Sequence, residues 1–446
     1  MGGQAFTKGP DGLYTPRMPR DIYEHVRDHC HALLRELFVM VATPIEGPGK
    51  SDFGDIDIFV AVKKEDYFGA SAASNLPGAA EKLPFGTIAA LFGAERKFQE
   101  RDNVAMFAIP WPNHLPEGVK DTVDTTSDKL RFIQVDIHIC PTIQNLEWFL
   151  FKHAHGDLWN LLGSTIRPFG LTVDEVGLYL RIPEVEKLDK KKAKVLLTTD
   201  PSETLRFLGL RLDKGQWEQA FSSKELVFEY AATCRFFWVK PKLADADHDD
   251  NDDDEGEGAL DISGDYRKDK LKSNDRKRMN QRPLFRQWIE EFLPKCRAEG
   301  RFMTRPTTRQ EVTEEASDEF GVRETYVTQL GDFLKERQRL TLWKEVIKPA
   351  IPNDLEPNFR SCAASAMKKI VMEDNEAFGV QPTTALKDDN GLYLEDKVRQ
   401  FVEANWQEVG RVAVEQNHIR YLESLAAKAK KRTSTGDEKE NMGPTQ

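Results

Sequence analysis

The stretch GKSDFGDIDIFVAV, residues 49–62, decides the fold of this chain. A glycine turn leads directly into an apolar run that opens with Asp55 and Asp57. Because side chains alternate across a β-strand, these two carboxylates point to one face. The other face is apolar, with Ile56, Ile58 and Val60. The pattern predicts a strand that carries two acids at its start. Burying both acids costs free energy unless a cation neutralises them.

A third acid, Asp136, lies alone within the apolar run FIQVDIHIC at residues 132–140. Three acids on two neighbouring strands can hold two divalent metals about 3.5–4 Å apart, as in phosphoryl displacement. Ligands that are all oxygen favour Mg²⁺ or Mn²⁺. The alternative is that Asp55 and Asp57 only flank a turn, where Asp often bonds nearby backbone. We expect a metal site, because Asp136 is a further acid within an apolar strand and a glycine turn directly precedes Asp55. Together these features weaken the turn alternative.

The remaining hydrophobic pattern predicts an α/β protein of the α+β kind. Ile22, Val26, Leu33 and Leu37 recur at helical spacing, which predicts a helix over 20–38. Strands are expected at 39–43, 55–62, 104–109 and 131–140, with a strand pair at 171–182. Helices are expected at 145–164 and 200–239 and then, after an acidic stretch, to about residue 430.

Length and composition limit the class of protein. The chain has 446 residues, of which 39% are hydrophobic, so we expect two or three domains. The sequence has no run of about 18 apolar residues and no secretory h-region, so no membrane partner is expected. Its five cysteines are scattered and form no CxxC pair, which argues against disulfides and structural zinc. We therefore expect an intracellular protein, cytoplasmic or nuclear.

Charge is distributed unevenly along the chain. The formal net charge is −11, and nine acids stand within residues 245–257 alone. Such like-charge blocks repel themselves, so this stretch is predicted to be a solvated linker. A basic run at 266–282 follows. This run could contact nucleic-acid phosphates or form a solvated helix face, and both alternatives stay open.

The motif GKSDFGDID, residues 49–57, resembles the GKxxxGDxD signature of the DNA polymerase beta-like nucleotidyltransferase superfamily. The resemblance is closest to the palm of family X DNA polymerases. GLTVDEVGLY, residues 170–179, is similar to the GLxLNExGL segment that follows that palm. The resemblance implies a nucleotidyltransferase palm with a mixed sheet, followed by a mainly helical C-terminal domain. The expected organisation is an N-terminal arm at 1–19, the palm and adjoining segment at 20–185, a helical continuation at 186–243, an acidic disordered linker at 244–265, a helical C-terminal domain at 266–430 and a disordered tail at 431–446.

The resemblance also implies roles for single residues. Asp55 and Asp57 would bind both metals, and Asp136 would bind the catalytic one and help to deprotonate the acceptor hydroxyl. The cofactor would be Mg²⁺ or Mn²⁺. The nucleotide triphosphate would be cradled by residues of the glycine turn, namely Gly49, Lys50, Ser51 and Gly54.

Two departures from the family pattern bear on nucleotide binding. Pro44-Ile45 stands where the family has a Gly-Ser pair that binds phosphates. The Thr-Gly-Ser that touches the incoming nucleotide is replaced around His153 and His155. A histidine there could donate to a phosphate oxygen or be an ordinary surface residue, and we leave both open. Elsewhere, the strand that carries the third acid, Asp136, reads VDIHI, with His138 where arginine is usual.

From these patterns we predict a Mg²⁺-dependent nucleotidyltransferase that transfers a nucleoside monophosphate from an NTP to a hydroxyl. The acceptor is unknown, and a nucleic-acid end is one candidate. The alternative is a catalytically inactive binding module that keeps the palm fold. The intact carboxylates favour the enzyme, since buried acids without a metal would be costly to keep. The sequence leaves the NTP preference, the pathway and the oligomeric state open.

Overall fold

The computed structural model describes residues 3–64, 85–119, 121, 123, 129–211, 215–239 and 273–436. The chain divides into two compact units, Met1–Arg323 and Glu324–Gln446. The acidic stretch expected as a linker, 244–265, lies outside the described residues, as do residues 266–272 of the basic run. Within the described residues, none of the helices has the length and apolar character needed to cross a membrane.

A five-stranded mixed sheet forms the centre of the first unit. The strands in chain order are β1 Met18–Pro19, β2 Phe38–Ala42, β3 Asp52–Phe53, β4 Asp55–Lys63, β5 Arg96–Arg101, β6 Val104–Pro110, β7 Phe132–Cys140, β8 Leu171–Val173, β9 Leu178–Arg181 and β10 Lys194–Thr198. The central sheet has the order β2-β4-β7-β6-β5. Its β4–β7 pair is parallel, and its other pairs are antiparallel. The predicted fold class, α/β with a mixed sheet, is therefore confirmed.

Two smaller sheets accompany the central one. Strand β1 pairs with β3, and β8, β9 and β10 form an antiparallel sheet after the central strands. The helices of the first unit are α1 Arg20–Leu37, α2 Phe85–Leu91, α3 Ile143–His153, α4 Leu158–Ile166, α5 Pro183–Glu186, α6 Pro201–Phe207, α7 Lys224–Ala232, α8 Ser273–Gln281, α9 Pro283–Gln287, α10 Leu293–Ala298 and α11 Arg309–Glu319. A π-helical turn, Trp288–Phe292, joins α9 to α10.

The central sheet has one apolar face and one mixed face. The apolar face packs with α1, where Ile22, Val26 and Leu34 are buried. Each large apolar side chain that leaves water contributes roughly 1.5–3 kcal/mol, so this layer supplies much of the unit's stability. The mixed face of β4 and β7 carries the paired positions Asp55–Gln134, Asp57–Asp136, Phe59–His138 and Ala61–Cys140. Polar pairs thus occupy its first half and largely apolar pairs its second.

The local predictions around the decisive stretch are confirmed. The helix expected at 20–38 is α1, and the strand expected at 55–62 is β4. The strands expected at 104–109 and 131–140 are β6 and β7. Strand β5, whose sequence is RKFQER, was not expected. All six of its residues are exposed at the sheet edge, so it lacks the apolar alternation that marks a half-buried strand.

The predictions of two long helices are wrong. The helix expected over 145–164 is broken into α3 and α4, because His155 and Gly156 adopt left-handed φ values of 61° and 65°. Left-handed residues end an α-helix. The helix expected over 200–239 is also divided, since α6 ends at Phe207 and α7 begins at Lys224.

The second unit is helical. Its elements are α12 Arg323–Leu342, a π-helical turn Trp343–Ile347, α13 Pro357–Glu373 and α14 Glu395–Gly436. The core forms where α13 packs against α14, and it includes Ala363, Met367, Val402 and Val409. Gly410 permits this close approach, because a Cβ there would lie 2.6 Å from the Phe359 ring. The boundary between the units falls within 266–430, and α14 extends past residue 430 to Gly436.

Candidate active site

Asp57 and Asp136 face each other across the parallel strands β4 and β7. They are Cα partners in the strand register, and Asp55 precedes Asp57 on the same face. Asp136 is only 9% exposed. Burial, followed by the nearby charge of Asp57, raises the pKa of the Asp136 carboxyl to about 8. The fold therefore brings together the three acids that the sequence singled out.

The same physical causes act on the other two acids. Burial, with the charges of Asp55 and Glu46, raises the pKa of Asp57 above its ordinary value. Burial also raises the pKa of Asp55, although Lys50 and a hydrogen bond from Gly3 oppose the shift. Three neighbouring carboxyls whose protonated forms are favoured mark a place where negative charge is in excess. A bound cation would relieve this excess.

The carboxylates differ in their partners. Asp55 Oδ2 accepts a hydrogen bond from the Gly3 amide at 3.2 Å, and Asp136 Oδ1 accepts one from Gln134 Nε2 at 2.9 Å. Asp57 forms no hydrogen bond or salt bridge with the described part of the chain. Among the described residues, no group of three or more His, Cys, Asp or Glu side chains is arranged to hold a metal ion. A shared cation would therefore require the carboxylates to turn toward it.

The glycine turn lies between β2 and β4, beside these acids. Gly49 has a left-handed φ of 71° and is exposed, as are Lys50 and Ser51. Lys50 Nζ contacts Glu46 Oε2 at 2.5 Å and lies over the Phe53 ring. The amine is thus held at the edge of the site by Glu46. Gly54 is half-buried directly before Asp55.

His155 lies in the protein interior, away from the position that the sequence suggested. Its imidazole is fully buried, and Nε2 lies 2.8 Å from the Trp217 carbonyl oxygen. The ring packs edge-on against Trp217 and Phe221. This geometry gives the side chain a packing role and leaves no face for a nucleotide. The nucleotide contact expected of His155 therefore has no support from its position.

His153 remains exposed at the surface. Its ring lies 5.2 Å from that of Phe59 and 6.2 Å from that of Phe149. Phe59 follows Asp57 by two residues on the same strand face and also contacts His138 at 4.7 Å. His153 thus belongs to an aromatic cluster that adjoins the carboxylate pair. Its nucleotide contact stays a prediction.

The loop around Ile45 and the loop around His155 touch each other. The His155 amide donates to the Ile45 carbonyl oxygen at 2.7 Å. A Cβ on Gly47 would lie 3.3 Å from Gly156 Cα, so the two backbones are in close contact. The segment at Ile45–Gly47 and the segment at His155–Gly156 therefore form one packed unit. This contact explains how the bend at His155 is held.

The described part of the basic run forms α8 and the residue after it. Arg276 and Lys277 are exposed. Arg282 Nη1 lies 3.1 Å from Asp157 Oδ1, which ties the end of this run to the loop after His155. Positive charge therefore stands next to the loop that follows His155 in the first unit.

Two residues of the site were missed by sequence reasoning. Gln134 is 3% exposed and lies on the same strand face as Asp136, so a polar residue two positions before the acid was the available signal. Gly3 contacts Asp55 from a position 52 residues earlier in the chain. No local pattern in the sequence indicates that contact.

Comparison with solved structures finds partial similarity to polymerase beta of Leishmania infantum. The crystal structure of its ternary P/T complex aligns with 13% sequence identity and a TM-score of 0.30. The alignment covers 46% of this chain and 77% of that chain. The ternary gap complex aligns with 13% sequence identity and a TM-score of 0.26, and the alignment covers 49% of this chain and 68% of that chain. No protein-family model and no curated protein matches this chain. At these TM-scores the similarity does not bear on activity.

Proposed function

We propose that this chain is a metal-dependent nucleotidyltransferase that transfers a nucleoside monophosphate from an NTP to a hydroxyl group. The observation that carries the proposal is the opposed pair Asp57–Asp136, with Asp55 on the same face. All three carboxyls have raised pKa values because they are buried together. Three buried acids destabilise the fold unless their charge is compensated, and a bound metal ion that takes part in catalysis would compensate it.

The donor set fits a hard divalent cation. Its groups are carboxylate oxygens, which suit Mg²⁺ and Mn²⁺ better than softer metals. Asp57, which has no partner among the described residues, is the central candidate ligand, and Asp55 and Asp136 flank it. When bound, the cation would neutralise the carboxylates and stabilise charge on the reacting phosphate.

The residues of the chain would act on the acceptor and the triphosphate. Asp136 would receive the proton of the attacking hydroxyl, because it lies opposite Asp57, the central candidate ligand. The acceptor oxygen then bonds to the α-phosphorus, and pyrophosphate leaves. Backbone amides of Gly49, Ser51 and Gly54 would face the phosphates. Lys50 would approach them by releasing Glu46.

The acceptor in this proposal remains a hydroxyl of unspecified origin. A nucleic-acid end is supported by the exposed Arg276 and Lys277 of α8, because phosphate backbones bind basic surfaces. His153 is the remaining candidate for a nucleotide contact beside the carboxylates. His155 is left out of the proposed site because its ring is buried.

The test is to incubate the protein with each labelled NTP, Mg²⁺ or Mn²⁺, and separate pools of RNA, DNA and cell-lysate protein. Uptake of label by one pool identifies the acceptor. Asp57→Asn and Asp136→Asn, which keep shape but remove charge, should abolish uptake. Asp102→Asn is the matched control, since Asp102 is exposed in the turn between β5 and β6.

Label uptake by Asp57→Asn or Asp136→Asn at the rate of the unmodified protein would contradict the proposal. Metal-dependent thermal stabilisation without any effect of an NTP would instead favour the inactive binding module. In that case the packed loops at Ile45 and His155 would have replaced the triphosphate site.

A further inference from the structure

The N-terminal arm, defined here as residues 3–15, lies on the mixed face of the central sheet. Phe6 is buried against Ala108 and Phe132, with Leu13 and Met106 around them. The arm closes on itself through the Leu13 amide, which donates to the Phe6 carbonyl oxygen at 2.8 Å. The Phe132 amide then donates to the Tyr14 carbonyl oxygen at 2.9 Å. The arm is thus anchored by an apolar plug and by backbone pairing at the start of β7.

Helix α3 covers the other end of the same face. Leu146 of this helix packs with Phe59, Ala61 and Cys140. The arm covers the end at Phe132, and the pair Asp57–Asp136 lies between the two covers. The arm therefore forms one wall of the carboxylate site.

The tip of the arm contacts Asp55 and the glycine turn directly. The Gly3 amide donates to Asp55 Oδ2 at 3.2 Å, and the Gly3 carbonyl oxygen accepts from Thr15 Oγ1 at 2.7 Å. Gly3 has a φ of 82°, and a Cβ there would lie 2.1 Å from the Gly54 carbonyl oxygen. Glycine is therefore required at this position both by its conformation and by its close approach to Gly54.

A second contact runs from the arm to Asp136 through Gln134. The Ala5 amide donates to Gln134 Oε1 at 2.9 Å. With its oxygen accepting from Ala5, the Gln134 amide must present Nε2 to Asp136 Oδ1, at 2.9 Å. The arm therefore determines which end of the buried Gln134 amide faces the carboxylate.

We propose that the N-terminal arm is a built part of the carboxylate site and that Gln134 is a positioning residue for Asp136. Gly3 holds Asp55 from one side, and the Ala5–Gln134 contact holds Asp136 from the other. With one oxygen of each outer acid held in this way, a common cation would take its ligands from their second oxygens and from Asp57, once these turn toward it. This inference rests on the proposed function only in that Asp55, Asp57 and Asp136 are taken as the ligands of a divalent cation.

Loss of the arm has a direct physical consequence. Without the Ala5 amide, Gln134 loses the contact that fixes the orientation of its side-chain amide, so Nε2 is no longer held toward Asp136 Oδ1. Asp136 would then turn away, and Asp55 would lose its amide donor. Partners that orient metal-binding carboxylates typically change metal affinity about 10–100-fold when they are removed.

The experiment measures Mn²⁺ affinity by electron paramagnetic resonance titration of the full chain with Mn²⁺ alone. Gln134→Met keeps the length of the side chain and removes both hydrogen bonds, while Thr15→Val removes the hydroxyl that holds Gly3. Gln4→Ala is the matched control, because Gln4 lies in the arm with an exposed side chain. Thermal unfolding in EDTA and hydrogen exchange of residues 3–15 accompany each titration.

We expect Mn²⁺ affinity to fall about 10–100-fold in Gln134→Met and less in Thr15→Val, with Gln4→Ala unchanged. The loss of Mn²⁺ binding free energy should exceed the loss of folding stability measured in EDTA. A purely structural role of these residues would not produce that excess. Unchanged affinity in both Gln134→Met and Thr15→Val would overturn this inference and leave the proposed function standing. Weakened Mn²⁺ binding in a protein that transfers no nucleotide would overturn the proposed function alone. A wild-type chain that binds no Mn²⁺ would overturn both.

Discussion

Asp57 on β4 and Asp136 on β7 are direct partners in a parallel strand pair, although each strand is otherwise mainly apolar. Parallel strands place side chains of paired residues on one face, so the two carboxylates share one small volume. Their mutual repulsion opposes folding when both are charged. This opposition can be measured without knowing the substrate.

Asp57→Asn should stabilise the metal-free protein at pH 8 and remove most of its stabilisation by Mn²⁺. The substitution removes one of the crowded charges, and relief of such repulsion is worth about 1–3 kcal/mol. Chemical unfolding in EDTA, and again with Mn²⁺, measures both effects. Asp102→Asn should change neither. A destabilised, metal-responsive Asp57→Asn protein would contradict the charge-crowding explanation.

The metal-free protein should lose stability as the pH rises from about 4 to about 8. The folded state binds protons more tightly than the unfolded state, because the pKa of Asp136 is raised to about 8 from an unfolded value near 3.9. Stability from this group is therefore complete at low pH and is lost through the folded pKa. The charged groups acting on Asp136 and Asp57 are Asp55, Glu46, Glu100 and Lys50.

The measurement compares unfolding free energies of the wild-type and Asp136→Asn proteins between pH 4 and pH 9 in EDTA. The difference should grow with pH across this window, and saturating Mn²⁺ should flatten it. A difference that is independent of pH would show that Asp136 is not buried as a protonated acid.

Gly3→Ala should release the arm from the site. The added Cβ would stand 2.1 Å from the Gly54 carbonyl oxygen at a φ of 82°, so residues 3–5 must move. Faster hydrogen exchange of the arm, and a loss of roughly 1–2 kcal/mol of stability, are expected. Gly9→Ala is the matched control, because Gly9 has a φ of 90° with no atom within 4 Å of a Cβ. Equal effects of both substitutions would attribute the loss to φ strain alone.

His155→Ala should destabilise the fold by about 2 kcal/mol without changing Mn²⁺ affinity. The substitution leaves a cavity between Trp217 and Phe221 and keeps a non-glycine residue at a φ of 61°. His153→Ala should have little effect on stability, since its ring is exposed. Unfolding curves and Mn²⁺ titrations of the two variants separate packing from binding. Weaker NTP binding by His153→Ala alone would support a nucleotide contact there.

A charge reversal on α8 tests the nucleic-acid partner. The double variant Arg276→Glu and Lys277→Glu should weaken binding of RNA and DNA of any sequence. The slope of log affinity against log salt concentration should become shallower by about 2, because two phosphate contacts are lost. Lys397→Glu, an exposed change in the second unit, is the control. Unchanged affinity at low salt would exclude these two residues as a nucleic-acid surface.

Local patterns were sufficient for α1, for β4 and for the position of Asp55 and Asp57 on one strand face. A strand repeats every two residues and a helix about every 3.6, so these features can be read from neighbouring residues. Patterns failed where the chain bends against its propensity. The break at His155 depends on the backbone contact with Ile45, and β5 is held by pairing with β6 rather than by its own composition.

The sequence by itself determined that two acids share one face of β4 and that a third stands in another apolar strand. Only the tertiary structure decided that Asp136 pairs with Asp57, that Gln134 faces the arm, and that Gly3 reaches Asp55. The physical reason is the range of the interactions. Side-chain alternation is local, whereas strand register and the docking of the arm depend on contacts between residues far apart in the chain.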